Sequence, residues 1–172
     1  MPYGPTKFSY QEIVYEAAKE FNGAVIAPNI IRTIEGGLLS YQSDFGREHN
    51  PFTIGLDRLV DLDQDIDFIG KEALTDWQER GAVNGFVTME VLDVVDADAR
   101  GSEAIYKDGM VVGRGTSGGY GWRCGKSLAL GIVRKDLTAV GTELEIEILG
   151  EKYKSIVIDE SPFDPNNQCL RS

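Results

Sequence analysis

The chain has 172 residues, 42% of them hydrophobic, and a formal net charge of -11. That length allows a sizeable core in one domain or two small ones. The acidic balance argues against nucleic acid and anionic membrane as partners, since both call for clustered Lys and Arg. No apolar run reaches the ~20 residues of a membrane span, and the N-terminus lacks the basic-then-apolar pattern of a secretory signal. The expectation is a cytoplasmic protein. Cys124 and Cys169 are the only cysteines and His49 the only histidine. That leaves little material for a zinc cluster or a histidine-based triad, and no metal site is expected.

Residues 9–23 spell a helix with both ends marked. Ser9 and Glu12 form an S-x-x-E capping box, Phe8 and Ile13 have the spacing of a hydrophobic staple, and Gly23 follows the last periodic position. Ile13, Val14, Ala17, Ala18 and Phe21 make an apolar stripe, which predicts a helix packed against scaffold.

The stretch 27–44 holds a second, short helix pattern. Pro28 suits its first turn, Ile31, Ile34 and Leu38 recur at helical spacing, and Gly36 and Gly37 end it. Arg32 and Glu35 stand three residues apart, as an ordinary surface pair does. The same two groups could instead serve a cleft, with Arg32 fixing a carboxylate and Glu35 accepting from the N–H groups of a polar heterocycle. Tyr41 fits either an aromatic wall or a core position.

Asn50-Pro51 marks a turn, and 54–62 reads as a strand or mixed segment entering an acidic loop over 61–67. Asp61, Asp63 and Asp65 alternate as in a calcium loop, but Ile66 stands where the turn glycine belongs, so a solvated acidic turn is the favoured reading. A further helix is expected over 70–80, with Ala73, Leu74 and Trp77 apolar and Gly81 as its stop.

Beyond Gly81 the pattern becomes extended. Strands are expected over 83–92, 110–116, 127–134, 143–149 and 153–159, with turns at Lys107-Asp108-Gly109 and Gly150-Glu151-Lys152. Glu143, Glu145 and Glu147 alternate with Leu144, Ile146 and Ile148, placing one face in water and one in a core. The chain is therefore expected to be α+β, residues 1–82 forming one part and 83–172 a compact antiparallel β-barrel or sandwich.

Gly113-Arg-Gly115-Thr-Ser-Gly118 matches the dinucleotide fingerprint, but no helix follows to receive a pyrophosphate. Gly125-Lys126-Ser127 resembles the end of a phosphate loop, yet the required earlier glycine falls on Tyr120. A glycine-rich barrel loop is expected instead, with Thr116, Ser117 and Tyr120 available for hydrogen bonds.

Pro28-Asn-Ile-Ile-Arg-Thr-Ile-Glu-Gly-Gly-Leu-Leu-Ser-Tyr, Asn50-Pro-Phe, Gly55-Leu-Asp-Arg-Leu-Val and Asp67-Phe-Ile-Gly-Lys-Glu-Ala-Leu appear in order. Gly113-Arg-Gly-Thr-Ser-Gly-Gly-Tyr-Gly, Gly125-Lys-Ser-Leu-Ala-Leu-Gly and Pro162-Phe-Asp-Pro follow them. Taken together this series resembles the folate-dependent aminomethyltransferase family. That family includes the glycine cleavage T-protein, the folate-dependent demethylases and the C-terminal folate parts of dimethylglycine and sarcosine dehydrogenases.

The resemblance implies part of a folate-binding domain, made of helices and strands, over 1–82, with the C-terminal barrel after it. It implies one-carbon transfer to N5 of tetrahydrofolate, from a small donor or a lipoyl carrier protein. Arg32, Glu35 and Tyr41 are then the cofactor-binding candidates. The family's conserved aspartate and its Tyr-Thr-Gly-Glu type segment belong to a preceding half that this sequence does not match. No catalytic residue is therefore assigned, and a fragment, or a partner chain supplying that half, is expected. Two alternatives stand beside a T-protein-like transferase. One is a demethylase of the dimethylsulfoniopropionate type, and the other is a folate-binding or structural module without turnover.

Overall fold

The computed structural model describes residues 7–23, 30–94 and 96–171. Six strands, β1 (Asn84–Val91), β2 (Ala104–Lys107), β3 (Met110–Gly121), β4 (Lys126–Arg134), β5 (Glu143–Ile148) and β6 (Glu151–Ile158), form a closed barrel. Their order is β1-β4-β3-β2-β5-β6, each neighbour antiparallel, and the pairing of β6 with β1 completes the circle. Closure removes the free edges that an open sheet presents to other chains.

The interior follows from the two-residue period of the strands. Val87, Met89 and Val91 of β1 meet Ala129 and Val133 of β4, Ile105 of β2, and Leu144, Ile146 and Ile148 of β5. The alternation expected over 143–148 is the observed one, with the three apolar residues buried and the glutamates on the other face. Strand β4 departs from alternation and is buried at every position from 127 to 133. Its outer residues Leu128 and Leu130 pack with Ile34, Phe86 and Ile158, so a second small core covers the outside of the barrel there.

Ile34 comes from α2 (Ile30–Glu35), which lies on β3 and β4. Its C-terminus is a Schellman closure. Gly37 has a φ of 65°, its N–H reaches Ile34 O at 3.1 Å, and Leu38 N–H reaches Thr33 O at 2.9 Å. Gly37 is required a second time over, because a Cβ there would collide with the Glu160 carbonyl. The expected first-turn Pro28 lies outside the described residues.

Several expectations are corrected. Helix α1 (Lys7–Lys19) forms and closes at Asn22 and Gly23, but Ile13 and Val14 are 63% and 68% exposed. The apolar stripe is present and its burial is not, because a periodic face specifies a partner without supplying one. The capping side chain of Ser9 and the Phe8 side chain lie outside the described residues. Of the strand or mixed segment expected over 54–62, the strand is not formed, and the residues make turns and a short 3-10 helix, Asp57–Leu59. Among the described residues before Asn84 there are only helices and turns, apart from one isolated bridge between Tyr41 and Phe45. The expected mix of helices and strands in the first part is therefore not found there.

The glycine-rich stretch is also strand rather than loop, since β3 continues to Gly121. Strand β2, four residues long, gave no periodic signal and was not expected. Helix α3 (Lys71–Arg80) agrees with the expected span, and Gly81, at a φ of 73°, closes it onto Trp77 O. The β2-β3 turn is Asp108-Gly109 as expected. The β5-β6 turn falls one residue early, on Leu149-Gly150, both with positive φ.

Candidate functional site

The stretch from α2 to Asp44 is fastened to β3 and the loop after it by two buried carboxylates. The first is Glu35, only 2% exposed. Its Oε1 accepts the backbone N–H of Arg123 at 2.7 Å and that of Cys124 at 3.3 Å, and its Oε2 accepts the Arg123 Nε–H at 2.7 Å. The Arg123 guanidinium also stacks on the Phe163 ring, 3.9 Å from its centroid, and Phe163 N–H donates to the Glu35 carbonyl at 2.9 Å. One residue thus ties three segments: α2, the loop between β3 and β4, and the chain after β6.

Burial raises the pKa of Glu35. The Arg123 side-chain and backbone hydrogen bonds, the guanidinium charge and the Cys124 N–H outweigh that effect and hold the carboxyl below its ordinary 4.5. Beside it, burial and the Glu35 charge push the Cys124 thiol up, which keeps it a thiol rather than a reactive thiolate.

The second carboxylate is Asp44, also buried. Its Oδ1 accepts from the Thr116 and Ser117 hydroxyls at 2.8 and 2.7 Å, and its Oδ2 accepts the Ser40 N–H at 2.8 Å. Thr116 and Ser117, expected to be available for hydrogen bonds, spend their hydroxyls inside the protein on Asp44.

The glycines of β3 make this close seating possible. A Cβ on Gly118 would lie 2.6 Å from the Ala99 carbonyl oxygen and 2.9 Å from that of Leu128, one on Gly119 would collide with Ile31, and one on Gly121 would lie 3.1 Å from Glu35 Cγ. Gly115 and Gly118 of the fingerprint-like spacing thus face the loop at 97–103, and Gly119 and Gly121 just after it face α2.

Of the three candidates from the sequence, Arg32 is exposed, and its guanidinium makes no hydrogen bond or ion pair with the described residues. The expected Arg32–Glu35 surface pair is not formed, because Arg123 takes the carboxylate. Tyr41 is 54% exposed and meets Phe45 edge-on at 5.7 Å between centroids. Glu35 faces inward, and the structure places its acceptor oxygens on donors of the chain itself. Sequence reasoning missed Arg123, Phe163 and Asp44. The first two are 88 or more residues from α2, and no local pattern reports such a pairing. Asp44 carried a faint signal as a carboxylate four residues after Ser40, the spacing of a side chain that fastens a turn.

Beside Ile31 a groove of about 640 Å³ runs between β3 and the segment after β1, with Asp98, Arg100, Glu103, Gly118 and Gly119 along it. Glu103 accepts the N–H groups of Arg100 and Gly101 at 2.7 and 2.8 Å, and Asp98 accepts the Ser127 hydroxyl at 2.8 Å, which fixes this rim. The acidic loop over 61–67 is closed internally, with Lys71 Nζ on Gln64 O at 2.6 Å. No set of three metal-ligating side chains occurs among the described residues, and no helix there is long and apolar enough to cross a membrane.

Residues 85–164 match the family model described as the glycine cleavage T-protein C-terminal barrel domain. Human mitochondrial dimethylglycine dehydrogenase is 35% identical over 81% of this chain and 16% of its own length. An aminomethyltransferase of Synechocystis is 37% identical over 70% of this chain and 32% of its own. In fold, the chain is similar to the crystal structure of glycine cleavage system aminomethyltransferase T from Bartonella henselae. The TM-score is 0.69 at 22% identity, over 77% of this chain and 37% of that one. The chain spans about a third or less of the length of these curated relatives.

Proposed function

Because the chain belongs to the aminomethyltransferase family of the glycine cleavage T-protein, as its C-terminal part, we propose that it works as the C-terminal portion of a tetrahydrofolate-dependent one-carbon transferase. The observation that carries this reading is the match of the barrel, over 85–164, to the T-protein barrel model. The catalytic groups are then contributed by residues preceding the matched part, in the same polypeptide or in a partner.

The residues present fit a peripheral role toward the folate. Arg32 is an exposed guanidinium with no side-chain partner among the described residues, suited to a carboxylate of the ligand, and Tyr41 offers a half-open ring face. Glu35 does not fit as a direct ligand, since three donors of Arg123 and Cys124 already hold it. We assign it instead to fixing the wall on which Arg32 stands. The folate amine supplies the nucleophile in such a transfer, and what this chain adds is orientation and exclusion of water. The relatives carry two different activities in their names, so the proposal is made for the shared one-carbon transfer and not for one donor.

Titration with tetrahydrofolate, of the chain alone and with the preceding half of a relative supplied, tests this. Binding is expected with the half supplied, and Arg32→Ala is expected to weaken it roughly tenfold or more, the loss of a charged hydrogen bond. Absence of binding in both arms, or full affinity in the variant, overturns the assignment.

A further inference from the structure

We propose that the notch between the β3-β4 loop and the segment after β1 binds a small alkylammonium cation. The notch, about 450 Å³, is lined by Val94, Asp96, Ala97, Asp98, Tyr120 and Trp122. Its aromatic wall is a Tyr120 and Trp122 pair packed edge to face, with 5.0 Å between centroids and 76° between planes. Its other wall carries two carboxylates. This arrangement shares no lining residue with Arg32, Glu35 and Tyr41, and the proposal does not rest on a role of theirs toward folate.

Each feature narrows the ligand. Trp122 is 80% exposed, an arrangement that leaves a large apolar ring open to water beside two carboxylates. Indole is the ring face that attracts cations most strongly. Carboxylates opposite it disfavour an anion, and a neutral apolar ligand would strip water from Asp96 and Asp98 with nothing in return. A hard metal ion wants six or more oxygen ligands. Here there are two carboxylates, and Asp98 Oδ1 already holds the Ser127 hydroxyl at 2.8 Å. An alkylated ammonium satisfies all three constraints, since it is cationic, weakly hydrated and apolar at its surface.

The notch is also preorganised. Glu35 holds the N–H groups of Arg123 and Cys124, the two residues after Trp122, and Gly125 N–H closes the same loop onto Gly121 O at 2.7 Å. The loop that presents the indole is thus fastened before a ligand arrives, and less ordering accompanies binding.

Tetramethylammonium chloride, titrated into the full chain and followed by two-dimensional NMR of indole and amide signals, is the direct probe. Sodium chloride at matched ionic strength controls for the net charge, and tert-butanol supplies a neutral ligand of similar shape. Saturable shifts confined to Trp122, Tyr120 and the residues around Asp98 are expected, with both controls silent. Affinity is expected to fall about fivefold in Trp122→Ala and in Asp96→Asn. The second variant preserves the shape of the notch and guards against a folding defect in the first. Shifts that do not saturate, an equal response to sodium or tert-butanol, or wild-type affinity in both variants overturn the proposal.

Discussion

Glu35 and Arg123 meet twice, through the Arg123 backbone N–H and through its Nε–H, each at 2.7 Å, although 88 residues separate them. The carboxylate is buried and the guanidinium partly exposed, so the two partners are not equivalent. Glu35→Ala leaves two backbone donors and a guanidinium without their acceptor and is expected to cost about 3 kcal/mol. Arg123→Ala leaves two backbone N–H groups on the carboxylate, and solvent already screens the lost charge, so about 1 kcal/mol is expected. Urea denaturation of both variants measures the difference.

The same carboxylate gives a pH dependence with a defined sign. Its folded pKa lies below the ordinary 4.5, so its contribution is present above that value and is lost as pH falls through the lower folded pKa. The gap in stability between wild type and Glu35→Gln should be full near neutral pH and narrow as the pH falls below 4.5 and through the lower folded pKa. A gap that stays constant down to acid would mean that the ionised form is not what Arg123 and Cys124 hold.

Asp44 makes a sharper additivity test. Asp44→Ala leaves the Thr116 and Ser117 hydroxyls buried without their acceptor, an expected loss of about 2–3 kcal/mol. With Thr116→Val already in place, one of those hydroxyls is gone, and Asp44→Ala should then cost about 1 kcal/mol less. A double-mutant cycle in urea reads the coupling directly, and full additivity would show that the two groups do not act on each other.

Much of the barrel was legible in the sequence because strand alternation and turn chemistry are local. The Leu144, Ile146 and Ile148 face and the Asp108-Gly109 turn follow from a handful of adjacent residues. What was not legible was set at long range. The glycines of β3 look like a ligand loop until Ile31 and the Ala99 carbonyl are seen lying on them. Glu35 looks like half of a helical ion pair until Arg123, 88 residues later in the chain, is seen to take its carboxylate. Arg32 and Tyr41 were chosen through resemblance, and both side chains are exposed.

Helix α1 separates pattern from packing. Ile13 and Val14 are exposed within this chain, so Ile13→Ser and Val14→Ser should change its unfolding free energy by no more than about 0.5 kcal/mol each. A loss of several kcal/mol would show that the stripe is buried in solution, for instance between two copies. Sedimentation of the same variants over a range of concentrations distinguishes that case.

Leu149 and Gly150 form the tight turn joining β5 to β6, with φ of 51° and 87°. Positive φ at both central residues is the geometry that Asn-Gly and Asp-Gly favour in two-residue hairpins, and the other such turn of this barrel uses Asp108-Gly109. A branched apolar residue in that conformation is disfavoured by about 1 kcal/mol, because its Cβ crowds the following carbonyl oxygen. Leu149 recovers little by packing, since it is 88% exposed. Leu149→Asn should therefore stabilise the chain by about 1 kcal/mol, a rise of a few degrees in Tm for a protein of this size. Leu149→Ala keeps the unfavourable φ and should gain nothing, so thermal unfolding of the pair assigns the strain to backbone conformation and not to the exposed side chain.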